Sequence, residues 1–192
     1  MYQIHTVFEG CPTSMSLDNH LFIRKRRIWL DRPIDADTAT AVSQALMYLD
    51  AVSNGDITLM INSPGGSVTD GNVIIDMMAS LHSDVRTVAI GQASSMAAQI
   101  LACGTPGKRY ATKRSSILIH QPLGGVQGQA TDMEIMVREM LRVKQETAQL
   151  LADKCHKDVE KVLRDIERDY RMTAQMAKDY GIIDHIGLPK EE

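Results

Sequence analysis

Three times in this chain a short aliphatic run stops at a polar or glycine-rich turn. Residues 57–61 run into Asn62-Ser63-Pro64-Gly65-Gly66, residues 85–90 into Gly91-Gln92-Ala93-Ser94-Ser95, and residues 116–119 into His120-Gln121-Pro122. After the first two stops, helical spacing resumes, in Val73, Ile74, Met77, Met78 and Leu81 and then in residues 96–102. Strands that alternate with helices in this way imply a mainly parallel sheet in an α/β fold. Pro122 cannot continue a central strand, so the third run ends at His120.

The alternation extends outward. Ile28-Trp29-Leu30 reads as a strand with Asp31-Arg32-Pro33 as its turn, and residues 36–51 set Val42, Ala45, Leu46 and Leu49 at helical spacing before Asn54-Gly55. Downstream, Thr131-Asp132-Met133-Glu134 has the form of a capping box. It opens the longest helix, whose stripe contains Met136, Val137, Met140, Val143 and Leu151. Ile135, Leu141 and Leu150 make that stripe wider than one packing surface requires, which calls for a second partner such as another subunit. Two shorter helices are expected over residues 158–166 and 173–180, the second closed by Gly181 in the left-handed conformation. Nothing secure is assigned before Leu17. With no linker, repeat or low-complexity tract, residues 1–192 read as a single domain.

Composition excludes several functions. Only 4% of residues are aromatic but 12 are Met, so the core is aliphatic with methionine as its adaptable filler. A net charge of -3 gives no reason to expect a nucleic-acid partner, and the run Arg24-Lys25-Arg26-Arg27 reads as a solvated loop. Cys11, Cys103 and Cys155 lack metal-type spacing and are odd in number, which suits a reducing cytoplasm. The chain has neither a leader-type start nor an apolar run able to span a bilayer, so it is expected to be soluble and cytoplasmic, with no membrane partner.

In open α/β sheets, ligand sites form beyond the carboxyl ends of the strands. The three turns fall there, and each carries a different chemistry. Gly65-Gly66 lets backbone N–H groups approach a substrate, as an oxyanion hole requires. Ser94 and Ser95 lie at a helix start, where developing negative charge is favoured, and either could be a nucleophile by that argument. Of six histidines, His120 alone directly ends an apolar strand, as suits a general base held by a rigid element. Asp165, Glu167, Asp169, Asp179 and Asp184 all follow His120, and spacing does not choose among them. A G-x-S-x-G elbow would put serine where Ala93 stands, which disfavours an ordinary α/β-hydrolase.

Taken together, these segments resemble the ClpP family of Clp proteases, over about residues 28–187. The likeness rests on Ile57 to Gly66, on Gly91-Gln92-Ala93-Ser94-Ser95-Met96-Ala97-Ala98, on Ile119-His120-Gln121-Pro122-Leu123-Gly124-Gly125, on Gly128-Gln129-Ala130-Thr131-Asp132 and on Glu167-Arg168-Asp169-Tyr170-Arg171-Met172-Thr173-Ala174. The resemblance implies an α/β fold of repeated ClpP/crotonase-like spiral units with a protruding handle helix and strand. It implies a catalytic triad of Ser95, His120 and Asp169 and oxyanion donors in the backbone N–H groups of Gly66 and Met96. Substrate would pair as an added strand against Gly66-Ser67-Val68 and Leu123-Gly124-Gly125. Glu167 and Arg168 match positions that in the family link ring contacts to active-site order.

The activity implied is serine-type endopeptidase cleavage of unfolded polypeptides inside stacked seven-membered rings. A AAA+ Clp unfoldase would deliver substrate and spend the ATP. No cofactor is expected in this chain, whose Gly104-Thr105-Pro106-Gly107-Lys108 lacks the spacing of a phosphate loop. Met60 and Ile75 stand where the family commonly has tyrosines that help bind unfoldase loops, and residues 1–16 depart from the family's axial-pore segment. A specialised paralogue that depends on a second ClpP subunit therefore stays open, as does a crotonase-type acyl-CoA enzyme built on a related fold.

Overall fold

The computed structural model describes residues 3–8, 11–16, 20–125 and 127–190, the first two segments by their strand pairing alone. Strands β1 (Gln3–Phe8) and β2 (Cys11–Ser16) pair antiparallel, in a region where sequence assigned nothing. A π-type turn at His20–Arg24 leads into β3 (Arg27–Leu30), α1 (Ala36–Val52), β4 (Ile57–Ser63), α2 (Val68–Ser80), β5 (Val85–Ser94) and α3 (Met96–Ala102). Then come β6 (Arg109–Ala111), β7 (Ser116–Ile119), α4 (Ala130–Cys155), α5 (Val159–Asp165), β8 (Tyr170–Thr173), α6 (Ala174–Tyr180) and β9 (His185–Ile186). Strands β3, β4, β5, β6 and β9 form a parallel path, β7 lies parallel to β5, and β8 pairs antiparallel with β7.

Side-chain caps open several of the helices. Asp35, Asp158 and Thr173 each accept a hydrogen bond from the backbone N–H three residues on, opening α1, α5 and α6, and Gly181 closes α6 at φ 96°. The expected capping box at Thr131 does not form. Helix α4 begins two residues earlier than that box would start it, Gln129 caps it without a side-chain bond, and Glu134 turns outward to pair with Arg138 one helical turn on.

Arg26 also differs from its expected role in a solvated loop. Its guanidinium donates to the carbonyls of Leu49, Ser53 and Gly55, so it closes the C-terminal end of α1 and ties it to the start of β3.

The core is aliphatic as expected, with Leu30, Leu46, Leu49, Ile57, Leu59, Ile61, Ile74, Ile100, Leu101, Ile117 and Ile119 fully buried. Each such side chain contributes about 1.5–3 kcal/mol relative to exposure. Every residue of α3 is buried, so this short apolar helix is the central pillar of the fold. Only the C-terminal half of α4 is packed, through Thr147, Ala148, Leu151, Ala152 and Cys155. Its N-terminal half projects with Ile135, Met136, Val137 and Leu141 exposed, as expected of a handle.

One irregularity positions the site. Strand β5 does not stop at Ile90 but runs on to Ser94. Between Ile61↔Ala89 and Ser63↔Ala93 it holds two more residues than β4 does, which makes a bulge around Gly91. Gly91 sits at φ 80°, and a Cβ there would come within 2.7 Å of Asn62 Oδ1. Before the bulge β5 pairs with β6; beyond it, residues 92–94 pair with β7. A glycine that read as a strand end is therefore a bend that hands the strand to a different neighbour.

Candidate active site

Register alone brings the site together. Ser94 pairs with Leu118 in parallel, and the next backbone N–H, that of Ser95, donates to Leu118 O at 2.8 Å. Ile119 pairs with Tyr170 in antiparallel, so His120 and Asp169 each lie one residue beyond that pair. Three adjacent strands thus deliver Ser95, His120 and Asp169 to one end of the sheet.

Ser95 sits where β5 turns into α3, with φ 57° and ψ -125°. A non-glycine residue in this region costs about 1–3 kcal/mol, held here by the Leu118 bond on one side and the buried helix on the other. This is the strained strand-to-helix turn of a nucleophile elbow, reached without the elbow's glycine spacing.

The two serines that sequence left equivalent now differ. Ser94 is buried and its Oγ lies 3.4 Å from Gln92 Oε1, whereas Ser95 is only half-buried. Among the described residues the Ser95 hydroxyl has no hydrogen-bond partner.

The Gly65-Gly66 turn lies directly against the serine. A Cβ on Gly65, which has φ 89°, would fall 2.8 Å from Ser95 Cβ and 3.1 Å from Met96 N. Ile34 N donates to Gly65 O and Ser67 N donates to Ile34 O, which fixes the turn from outside. Among the described residues neither the Gly66 N–H nor the Met96 N–H donates to a backbone acceptor outside a regular element. Ser67 caps α2 and Val68 is its first residue. Leu123, Gly124 and Gly125 are exposed and belong to no regular element.

His120 Nδ1 lies 3.3 Å from Asp169 Oδ1, with the imidazole largely buried and the carboxylate half exposed. The other acids that sequence could not separate are engaged elsewhere. Asp184 chelates Arg109, Asp165 accepts from Tyr180 and Lys161, Glu167 pairs with Lys144, and Asp179 accepts from Gln175. Among the described residues, Asp169 is the carboxylate that reaches His120.

Two neighbours were passed over in the sequence. Arg171 donates to Asp169 Oδ2 at 3.1 Å, and Gln121 donates through Nε2 to Glu167 O at 3.0 Å. The signal for Arg171 was its place two residues along strand β8, on the same side as Asp169. Gln121 had none beyond adjacency to His120.

The arrangement can carry out acyl transfer: a half-buried hydroxyl on a strained turn, an imidazole at the next strand end, a carboxylate near its Nδ1, and a glycine turn and helix start packed against the serine. A cavity of about 640 Å³ lies at the opposite end of the strands, where Arg27, Thr58, Arg86 and Tyr110 line it.

A family model described as Clp protease matches residues 13–190. The chain is 49% identical over 166 residues to an ATP-dependent Clp protease proteolytic subunit of Bacteroides thetaiotaomicron, an alignment covering 86% of this chain and 76% of that protein.

Proposed function

Because the chain belongs to the Clp protease family, as a serine-type endopeptidase subunit that works with a partner ATPase, we propose that Ser95, His120 and Asp169 are its catalytic residues. The observation that carries this assignment is the 3.3 Å contact between His120 Nδ1 and Asp169 Oδ1, one strand away from the half-buried Ser95.

Ser95 Oγ attacks the peptide carbonyl as His120 takes its proton. Asp169 orients the imidazole, leaving Nε2 for the serine, and stabilises the imidazolium that forms. The Gly66 and Met96 N–H groups receive the developing oxyanion. His120 then protonates the leaving amine, and a water, deprotonated by the same imidazole, releases the acyl group from Ser95. This chain's residues supply every proton movement, without metal or nucleotide, and ATP is spent by a AAA+ unfoldase.

The exposed apolar half of α4 supports a further reading: copies of this chain packed through it into stacked heptameric rings in the cytoplasm would enclose Ser95. Unfolded polypeptide would enter and lie as an added strand beside Gly66-Ser67-Val68 and Leu123-Gly124-Gly125. Among the described residues no helix is long and apolar enough to cross a membrane. Cleavage of an unfolded protein by the assembled particle, with and without an ATP-fuelled unfoldase, tests this function; Ser95→Ala is expected to abolish it in both cases.

A further inference from the structure

The ladder between β7 and β8 ends at Ile119↔Tyr170, so no ladder bond fixes the separation of His120 from Asp169. Asp169 is also poorly anchored by packing, because its side chain is 54% exposed and its second oxygen is drawn toward Arg171. A carboxylate so placed would swing unless the turn that carries it were held.

That turn is held from the histidine side. Gln121 directly follows His120; its backbone N–H donates to Ile166 O at 2.6 Å and its side-chain Nε2 donates to Glu167 O at 3.0 Å. Only the amide nitrogen can face a carbonyl oxygen, so the side-chain orientation follows from the partner. Ile166 is itself fully buried, which makes this end of the turn rigid. His120 and Asp169 therefore lie between two sets of hydrogen bonds, the ladder below and the Gln121 clamp above.

We propose that Gln121 is a positioning residue for the cleavage reaction, its side-chain amide holding the 166–169 turn so that Asp169 meets His120. Among the described residues Gln121 makes no hydrogen bond to Ser95; it acts through Asp169. The proposal rests on the catalytic assignment of Ser95, His120 and Asp169.

Gln121→Met keeps the backbone bond and the length of the side chain but removes the donor. In the assembled protein, kcat for a small fluorogenic peptide is expected to fall roughly 10- to 100-fold, the scale set by a misplaced catalytic group. KM should stay within about twofold, because positioning acts on the chemical step. The distinguishing measurement is the same substitution in an Asp169→Asn background, read as the rate of Ser95 labelling by a fluorophosphonate. If Gln121 acts through Asp169, that rate should change by less than about twofold there, since the two effects are coupled. Gln121→Asn, whose amide is one methylene too short to reach Glu167 O, carries the same expectations if the Met variant does not assemble. An unaltered kcat in either variant overturns the proposal, as does an equal loss in both backgrounds. An Asp169→Asn protein with full activity would instead sink the catalytic assignment beneath it.

Discussion

His120 Nδ1 and Asp169 Oδ1 are 3.3 Å apart, while Asp169 Oδ2 is 3.1 Å from Arg171, so one half-exposed carboxylate is shared between the imidazole and a guanidinium. In the proposed triad its value to His120 is orientation and not tight binding. Asp169→Asn can present an amide N–H to Nδ1, favouring the wrong tautomer and leaving Nε2 protonated toward Ser95. Peptidase kcat is expected to fall about ten-thousand-fold with the fold intact. Steady-state turnover alongside the circular dichroism spectrum checks both halves, and unchanged turnover removes Asp169 from its role.

The adjacent serines give a sharper test. Ser94 is buried against Gln92, and Ser95 is half-buried at the strained turn. A fluorophosphonate is expected to modify Ser95, and Ser95→Ala to lose both labelling and peptide cleavage. Ser94→Ala should keep measurable labelling, since it removes only a small buried hydroxyl. Peptide mapping by mass spectrometry reads the site; modification found on Ser94 would reverse the assignment.

Much of this was legible in the sequence because helix and strand periods are local. Residues 96–102 and 116–119 were placed with the bounds observed. The ends of strands were harder. Gly91 looked like a stop, but its bend only becomes intelligible once Asn62 of the neighbouring strand is seen to occupy the space a side chain would need. Short strands such as Arg109–Ala111 and Tyr170–Thr173 lack the unbroken apolar run that marks residues 117–119, and their partners lie far along the chain. Arg26 shows the same limit for charge, since four consecutive cations read as a solvated run until the helix end that one of them closes is in place. At the site, residue types and strand ends pointed to His120, but choosing between serines needed burial and choosing among acids needed the register of β7 on β8. Family resemblance had supplied both choices without that physical reason.

Arg109 and Asp184 make a prediction about stability. The guanidinium is almost fully buried, grips both Asp184 oxygens and donates to Gly181 O at 2.8 Å, which ties α6 and β9 to the sheet. Burial pushes the Asp184 carboxyl up, but hydrogen bonds from the Arg109 side chain and backbone outweigh it, and the group titrates below its ordinary value. A lowered folded-state value means stability that is complete above the usual aspartate range and lost as pH falls through it. Arg109→Met should cost about 3 kcal/mol at neutral pH, because it strands a half-buried carboxylate. For Asp184→Asn, the gap in denaturation midpoint from the unaltered protein should be widest at neutral pH and close as pH falls below about 4. A gap that grows in acid would contradict the sign of this coupling.

The handle gives the prediction about assembly. In the single chain Leu123 is 81%, Ile135 58% and Leu141 60% exposed, while the other end of the same helix is tightly packed. A protruding half-helix with large aliphatic side chains on several sides gains about 25 cal/mol for each Å² it removes from water, and among the described residues nothing covers it. Packing against the handle of a second copy would meet that need. Analytical ultracentrifugation is therefore expected to find a multi-subunit particle at concentrations where the protein is folded. Leu141→Glu, which buries a charge at the contact, should shift it toward smaller species without lowering the melting temperature of the individual subunit by more than a few degrees. Peptide cleavage should decline with assembly in the same titration, because Gly124 lies against Met140 of the handle and, among the described residues, the Gly124 and Gly125 segment pairs with no strand. A monomer that cleaves peptides at the full rate would show that the site needs no neighbour.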